Sequence, residues 1–208
     1  MVAAITVVGI GPGHPDYIIP AARRAIDAAD VVVGGKRAID TLVEGVQQRI
    51  YITADLETLE VRIRAVAEEK NIAVLVSGDP GYYSLLQWLR RTFPQEKIHV
   101  IPGLSSIQVA FSRIGESWYD AKLLSFHGRS PDEKELIYKE NRKLGFLTDA
   151  QHNPAYIARA LMAHGWPEET RAVAIERISY ENERKLDTTL ARCAESEGFF
   201  QSVLVVIG

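Results

Sequence analysis

Three glycine-rich stretches each follow a short apolar run and end in residues able to hold a ligand. After residues 5–8 comes Gly9-Ile10-Gly11-Pro12-Gly13-His14-Pro15-Asp16, after 72–76 comes Ser77-Gly78-Asp79-Pro80-Gly81-Tyr82, and after 98–101 comes Pro102-Gly103-Leu104-Ser105-Ser106. Glycine leaves the backbone bare, so main-chain N–H and C=O groups can approach a ligand closely. Helix capping explains parts of the same pattern, with Asp79 as cap and Pro80 in the first turn, or Ser105 or Ser106 as a plain cap. The first loop is not a dinucleotide fingerprint. Its spacing is G-x-G-x-G, Pro12 and Pro15 block an immediate helix, and Lys36-Arg37 follows the second apolar run where an acidic residue is expected. A fourth stretch, Ser125-Phe126-His127-Gly128-Arg129, sets an imidazole near a guanidinium, a pair suited to carboxylates.

No nucleophile elbow, phosphate-binding P-loop or metal-ligand spacing accompanies these stretches, and Cys193 has no base beside it in the sequence. What survives is chemistry done by positioning two ligands, of which group transfer from a reactive cofactor is the natural case. Such positioning needs a rigid scaffold, and short β-branched runs separated by helical spacing predict an α/β fold. Strands are expected at 5–8, 31–33, 49–52, 72–76, 98–101, 122–126, 144–148, 172–178 and 202–207. Helices are expected at 21–29, 56–69, 82–92, 104–114, 132–142 and 154–163. In the second of these Leu59, Ile63 and Val66 share one face. Helical crossovers favour parallel pairing up to about residue 101, whereas RKLDTT after SYENE suggests a hairpin in a mixed sheet. GESWYD interrupts the pattern, dividing the chain into an N-terminal α/β domain, 1–115, and a C-terminal α/β domain, 116–208.

With 208 residues the chain can bury a substantial core. A formal charge of −3 argues against a sequence-independent nucleic-acid grip. No apolar run reaches the roughly 18 residues of a membrane span, and the opening MVAAITVVGIGPG has no basic front, so a cytoplasmic protein without nucleic-acid or membrane partners is expected. The basic pairs Arg23-Arg24, Lys36-Arg37 and Arg90-Arg91 read by default as solvated helix faces.

Taken together, VVGIGPGHPDYI, SGDPG and IPGLSS, in that order and spacing, resemble the tetrapyrrole methylases, S-adenosylmethionine-dependent enzymes of cobalamin and sirohaem synthesis. VVVGGKR and SFHGR resemble the branch that methylates C(5) of a precorrin or cobalt-precorrin, and the likeness covers the whole chain. The resemblance implies a largely parallel sheet in the first domain, a mixed sheet in the second, and S-adenosylmethionine in the cleft between, released as S-adenosylhomocysteine. It assigns cofactor contacts to Ser77, Gly78, Asp79, Tyr82, Ser105 and Ser106, with later ones at Thr148 and Ile178 partly through main chain. Gly11, Pro12 and Gly13 would border the tetrapyrrole, and Lys36, Arg37 and Arg129 would clamp its carboxylate arms. His14, Asp16 and His127 are candidates for a base that removes a proton. The resemblance further implies a homodimer, with the C(15)-methylating, decarboxylating activity of some fused relatives on a separate polypeptide. Methylation of another ring carbon or of an RNA loop, and a non-catalytic scaffold for the C(15) enzyme, stay open as alternatives.

Overall fold

The computed structural model describes residues 4–208, leaving Met1 to Ala3 at the head of the opening stretch outside it. The chain divides into two compact units, Met1–Ser105 and Ser106–Gly208.

In the first unit the strands are β1 (Ile5–Gly9), β2 (Val31–Gly34), β3 (Gln48–Tyr51), β4 (Ile72–Val76) and β5 (Ile98–Ile101), all parallel, in the order β3-β2-β4-β1-β5. The three central strands, β1, β2 and β4, are Val- and Ile-rich runs buried on both faces, as parallel strands under helices must be, while the edge strands β3 and β5 are partly exposed. Helices α1 (Pro20–Asp27), α2 (Lys36–Leu42), α3 (Leu56–Arg64) and α4 (Leu86–Thr92) connect the strands. Val8, Val32 and Leu75 pack with Ala22 and Ile26 of α1 and with Ile39 and Leu42 of α2. Val7, Val33 and Val74 pack on the opposite face with Leu59 and Ile63 of α3 and Leu89 of α4. Right-handed crossovers require this arrangement: the chain leaves β1 toward β2 in one direction and leaves β4 toward β5 in the other. The neighbours β1 and β4 therefore flank the point where the connections diverge, which is where open α/β sheets bind ligands at their carboxyl edge.

The second unit holds α5 (Ser106–Arg113), β6 (Lys122–Ser125), β7 (Lys143–Leu147), α6 (Pro154–Ala163), β8 (Arg171–Glu176), β9 (Arg184–Thr189), α7 (Leu190–Ala194) and β10 (Ser202–Ile207). Its sheet runs β6-β7-β10-β8-β9, with β6 and β7 parallel and every other pair antiparallel. RKLDTT forms the expected hairpin partner, β9, of β8. Helix α5 belongs to this unit because Ile107 and Phe111 crowd the bare Cα of Gly145 in β7, so the unit begins ahead of the boundary at 115 read from the sequence. Among the described residues no helix is long and apolar enough to cross a membrane.

Three expectations need correction. The helix expected over 132–142 is a single 3-10 turn, Glu133–Glu135. The Leu136 carbonyl accepts the Trp166 indole N–H at 2.7 Å, the Ile137 carbonyl accepts Arg142, and the Tyr138 N–H donates to His164 O. A local side chain and two distant partners thus take the groups a helix would have used. The helix expected from residue 82 begins only at Leu86, after an irregular stretch in which Tyr83 has φ 48° and Ser84 Oγ accepts the Leu86 N–H. The helix expected over 56–69 stops at Arg64. Helix α7 went unforeseen, whereas α2 opens on Lys36 and Arg37 and gives that exposed basic pair the helix face expected of it.

Candidate functional site

In the first unit the three glycine loops are joined by backbone. Gly78 N–H donates to Gly11 O at 2.8 Å and Gly11 N–H to Gly78 O at 3.4 Å, bridging the loops after β1 and β4. Gly78 has φ +70°, a left-handed conformation that glycine adopts without penalty. A Cβ on Gly9 would lie 2.5 Å from the Gly103 nitrogen, so the loop after β5 touches the end of β1 only because both positions lack side chains.

Asp79 completes the junction. Its Oδ1 accepts the Gly81 N–H at 2.7 Å and its Oδ2 the Gly103 N–H at 3.0 Å. The reading of Asp79 as cap of the following helix is therefore corrected: both oxygens are spent on loop amides, and α4 starts seven residues later, at Leu86. Ser77 is exposed, Ser105 is buried with its Cα against Gly78, and Tyr82 is half-buried. Burial pushes the Tyr82 phenol far above its ordinary range, and charge repulsion from the neighbouring Tyr83 phenol, whose ring centroid lies 4.7 Å away, adds to the effect, so it stays a neutral donor.

His14 and Asp16 lie beyond Gly11, Pro12 and Gly13, on a 3-10 turn (Pro15–Tyr17). The His14 Nδ1 accepts the Asp16 N–H at 3.2 Å, and the Asp16 side chain is 85% exposed. Lys36 bonds to Asp40 at 2.6 Å and lies 5.9 Å over the Tyr51 ring, while Arg37 is exposed. These two cations sit on α2 rather than on the glycine junction.

In the second unit, Ser106 opens α5 and Thr148 ends buried at the exit of β7. The Thr148 hydroxyl donates to Ser202 O at 2.7 Å, so its side chain is engaged within the unit. Its carbonyl accepts His127 Nδ1 at 3.3 Å, which puts the proton of a neutral ring on Nδ1 and the lone pair on Nε2. Arg129 is exposed on the same loop. Ile178 is buried between Arg177 and Ser179, whose φ angles of 50° and 76° are uncommon for side-chain-bearing residues and tend to collect at ligand sites.

Sequence reasoning missed two residues here. Asp149 accepts N–H groups from His152 at 2.7 Å, Gln151 at 2.9 Å and Gly128 at 3.3 Å, and meets His152 Nδ1 at 3.0 Å. These donors, the His152 backbone first, hold the Asp149 carboxyl well below the usual carboxylate range. The signal was the polar run Asp149-Ala150-Gln151-His152-Asn153 between an apolar strand and Pro154, the first residue of α6. Cys193, by contrast, is buried and its thiol is pushed up to about 11, which makes it a poor nucleophile.

Bare backbone at three converging loops and a neutral, half-buried phenol give the first unit a surface that can hold a ligand largely through main-chain groups. Residues 4–194 match the family model for tetrapyrrole (corrin/porphyrin) methylases. The cobalt-precorrin-7 C(5)-methyltransferase of Salmonella typhimurium is 37% identical over 86% of this chain and 88% of its own length. A probable cobalt-precorrin-7 C(5)-methyltransferase of Methanocaldococcus jannaschii is 32% identical over 98% of both chains. The crystal structure of the precorrin-6Y methylase of cobalamin biosynthesis from Archaeoglobus fulgidus superposes with a TM-score of 0.73 at 24% identity, covering 98% of this chain and 97% of that one. The chain belongs to the tetrapyrrole methylases.

Proposed function

We propose that the protein methylates C(5) of a corrinoid precursor, cobalt-precorrin-7, in cobalamin biosynthesis. The observation that carries this reading is the similarity, over most of the chain, to relatives of that activity. S-Adenosylmethionine would supply a methyl group already activated by its sulfonium, which suits a chain whose lone thiol is buried. The work left to the protein is alignment, since holding donor and acceptor in a reactive geometry accounts for several kcal/mol of barrier lowering, of order 7–11 at best.

Gly78, Ser77, Tyr82 and Ser105 would hold the cofactor at the glycine junction, with Asp79 fixing the loops that present those groups. Ser106 and the main chain at Thr148 and Ile178 would supply contacts from the second unit. Gly11, Pro12 and Gly13 would border the macrocycle, and Arg129 and Arg37 would meet its carboxylate arms, a task guanidinium forks perform bidentately. Lys36 would reach them only by leaving Asp40. Replacing ring-carbon hydrogen by methyl releases a proton, for which His14, Asp16 and His127 are candidate acceptors. The same reading carries a cytoplasmic homodimer and a separate C(15)-methylating, decarboxylating enzyme.

The test is incubation with methyl-labelled S-adenosylmethionine and cobalt-precorrin-7, with the new carbon–carbon bond located by NMR. A label at C(5) is the expected result. A label at another ring carbon, or none from protein that binds S-adenosylhomocysteine, overturns the acceptor assignment.

A further inference from the structure

We propose that Asp149 and His152 are the proton-accepting dyad of the methyl transfer, His152 Nε2 taking the hydrogen displaced from the ring carbon and Asp149 positioning the ring; this rests on the function proposed above.

His152 Nδ1 lies 3.0 and 3.1 Å from the two carboxylate oxygens of Asp149. A carboxylate only accepts, so the proton of the neutral imidazole sits on Nδ1 and the basic lone pair on Nε2. Among the described residues no hydrogen bond reaches that Nε2. The ring is also fixed in orientation, stacked on Phe126 at 5.5 Å and 28° and met by the edge of Tyr156 at 4.9 Å and 79°. Its side chain is 24% exposed, so the free nitrogen is open to a ligand.

A turn alone does not explain the pair. The Asp149 carboxylate satisfies the turn by accepting the Gln151 and His152 backbone N–H groups, which needs no imidazole. The location is apt as well. Because β6 and β7 are parallel, the loops carrying His127 and His152 leave the same edge of the sheet, and the Gly128 N–H ties the first to Asp149 at 3.3 Å. Asp149 directly follows Thr148, one of the proposed cofactor contacts.

The other candidates are less well arranged. The His14 Nδ1 is occupied by the Asp16 N–H, and Asp16 is solvated. His127 is oriented by a neutral carbonyl, whereas His152 faces a carboxylate. That difference matters beside a cationic methyl donor, because an imidazolium forming there is compensated only if an anion accompanies it. The balance is complete: the carbon–carbon bond forms as the carbon–sulfur bond breaks, sulfur keeps that electron pair, and the ring's former C–H pair restores conjugation as the proton passes to Nε2.

Two replacements separate chemistry from packing: His152→Phe keeps the aromatic stack and His152→Gln keeps polarity, and neither accepts a proton. With cobalt-precorrin-7, both are expected to lower kcat by about 100-fold or more, with S-adenosylhomocysteine affinity within threefold of wild type and partial rescue by added imidazole. Asp149→Asn should lower kcat with KM little changed. Independently of turnover, imidazole ring NMR of the wild-type protein should show the Nδ1–H tautomer for His152, giving way to a mixture in Asp149→Asn. Turnover within threefold of wild type in both His152 variants, loss in His127→Gln alone, or an Nε2–H tautomer overturns the dyad. Wild-type protein that fails to methylate cobalt-precorrin-7 overturns the acceptor assignment instead, and the tautomer then decides the dyad by itself.

Discussion

Asp79 sits in the stretch that the resemblance credits with direct cofactor contact, yet both its oxygens are directed at backbone amides. One belongs to its own loop and the other to Gly103, a residue 24 positions away in sequence. Its effect on a cofactor would be transmitted through the loops it ties together. Asp79→Asn keeps one acceptor oxygen and turns an NH2 group toward an N–H, so at least one charge-assisted bond is lost, a change of about 1–3 kcal/mol. The expected outcome is a folded protein that melts a few degrees lower and binds S-adenosylhomocysteine at least tenfold more weakly, read by thermal unfolding and calorimetry. Unchanged affinity would detach Asp79 from the site. The motif around Asp79 was legible in the sequence, but the target of its carboxylate was not, because a cap and a distant amide demand the same residue type. For Asp149 and His152 the reverse holds: nothing marked them singly, and only the parallel pairing of β6 with β7 brings their loop beside Gly128 and His127.

Strands are the elements the sequence announced best. Runs such as IAVLV and SVLVVI become β4 and β10, because a strand covered on both faces must be apolar throughout. Helices were legible where one face carried the core, as in α6, whose Asn153 cap accepts the Tyr156 N–H at 3.0 Å ahead of Pro154. The segment 132–142 defeated the same reasoning. Its spacing and charged residues allow a helix, but Leu136 is buried and its carbonyl meets Trp166, a partner 30 positions away. Trp166→Phe preserves most of the packing and removes the indole donor, leaving a buried carbonyl unpaired at a cost of about 1–3 kcal/mol. The expected result is a lower melting temperature with S-adenosylhomocysteine affinity unchanged, since Trp166 lies in the core between α6 and the sheet. A variant as stable as wild type would show that this bond does not hold the segment out of a helix.

At the scale of the whole molecule, each unit has its own core, Phe146, Leu161 and Leu204 in the second and the two faces of the parallel sheet in the first. Unfolding is therefore not bound to be a single transition. The proposed cofactor residues are divided between the units, with Ser77 to Tyr82 and Ser105 in one and Ser106, Thr148 and Ile178 in the other. A ligand held by both must stabilise both, by RT ln(1 + [L]/Kd), or about 2.7 kcal/mol at a hundredfold excess over Kd. The tryptophans allow the units to be followed separately, since Trp88 reports the first and Trp118 and Trp166 the second. In a Trp88→Phe variant all tryptophan fluorescence comes from the second unit. Saturating S-adenosylhomocysteine should then raise the fluorescence melting temperature of that variant by several degrees, as it raises the calorimetric transition of the wild type. A calorimetric shift without a fluorescence shift would confine the cofactor to the glycine junction and remove Ser106, Thr148 and Ile178 from its site.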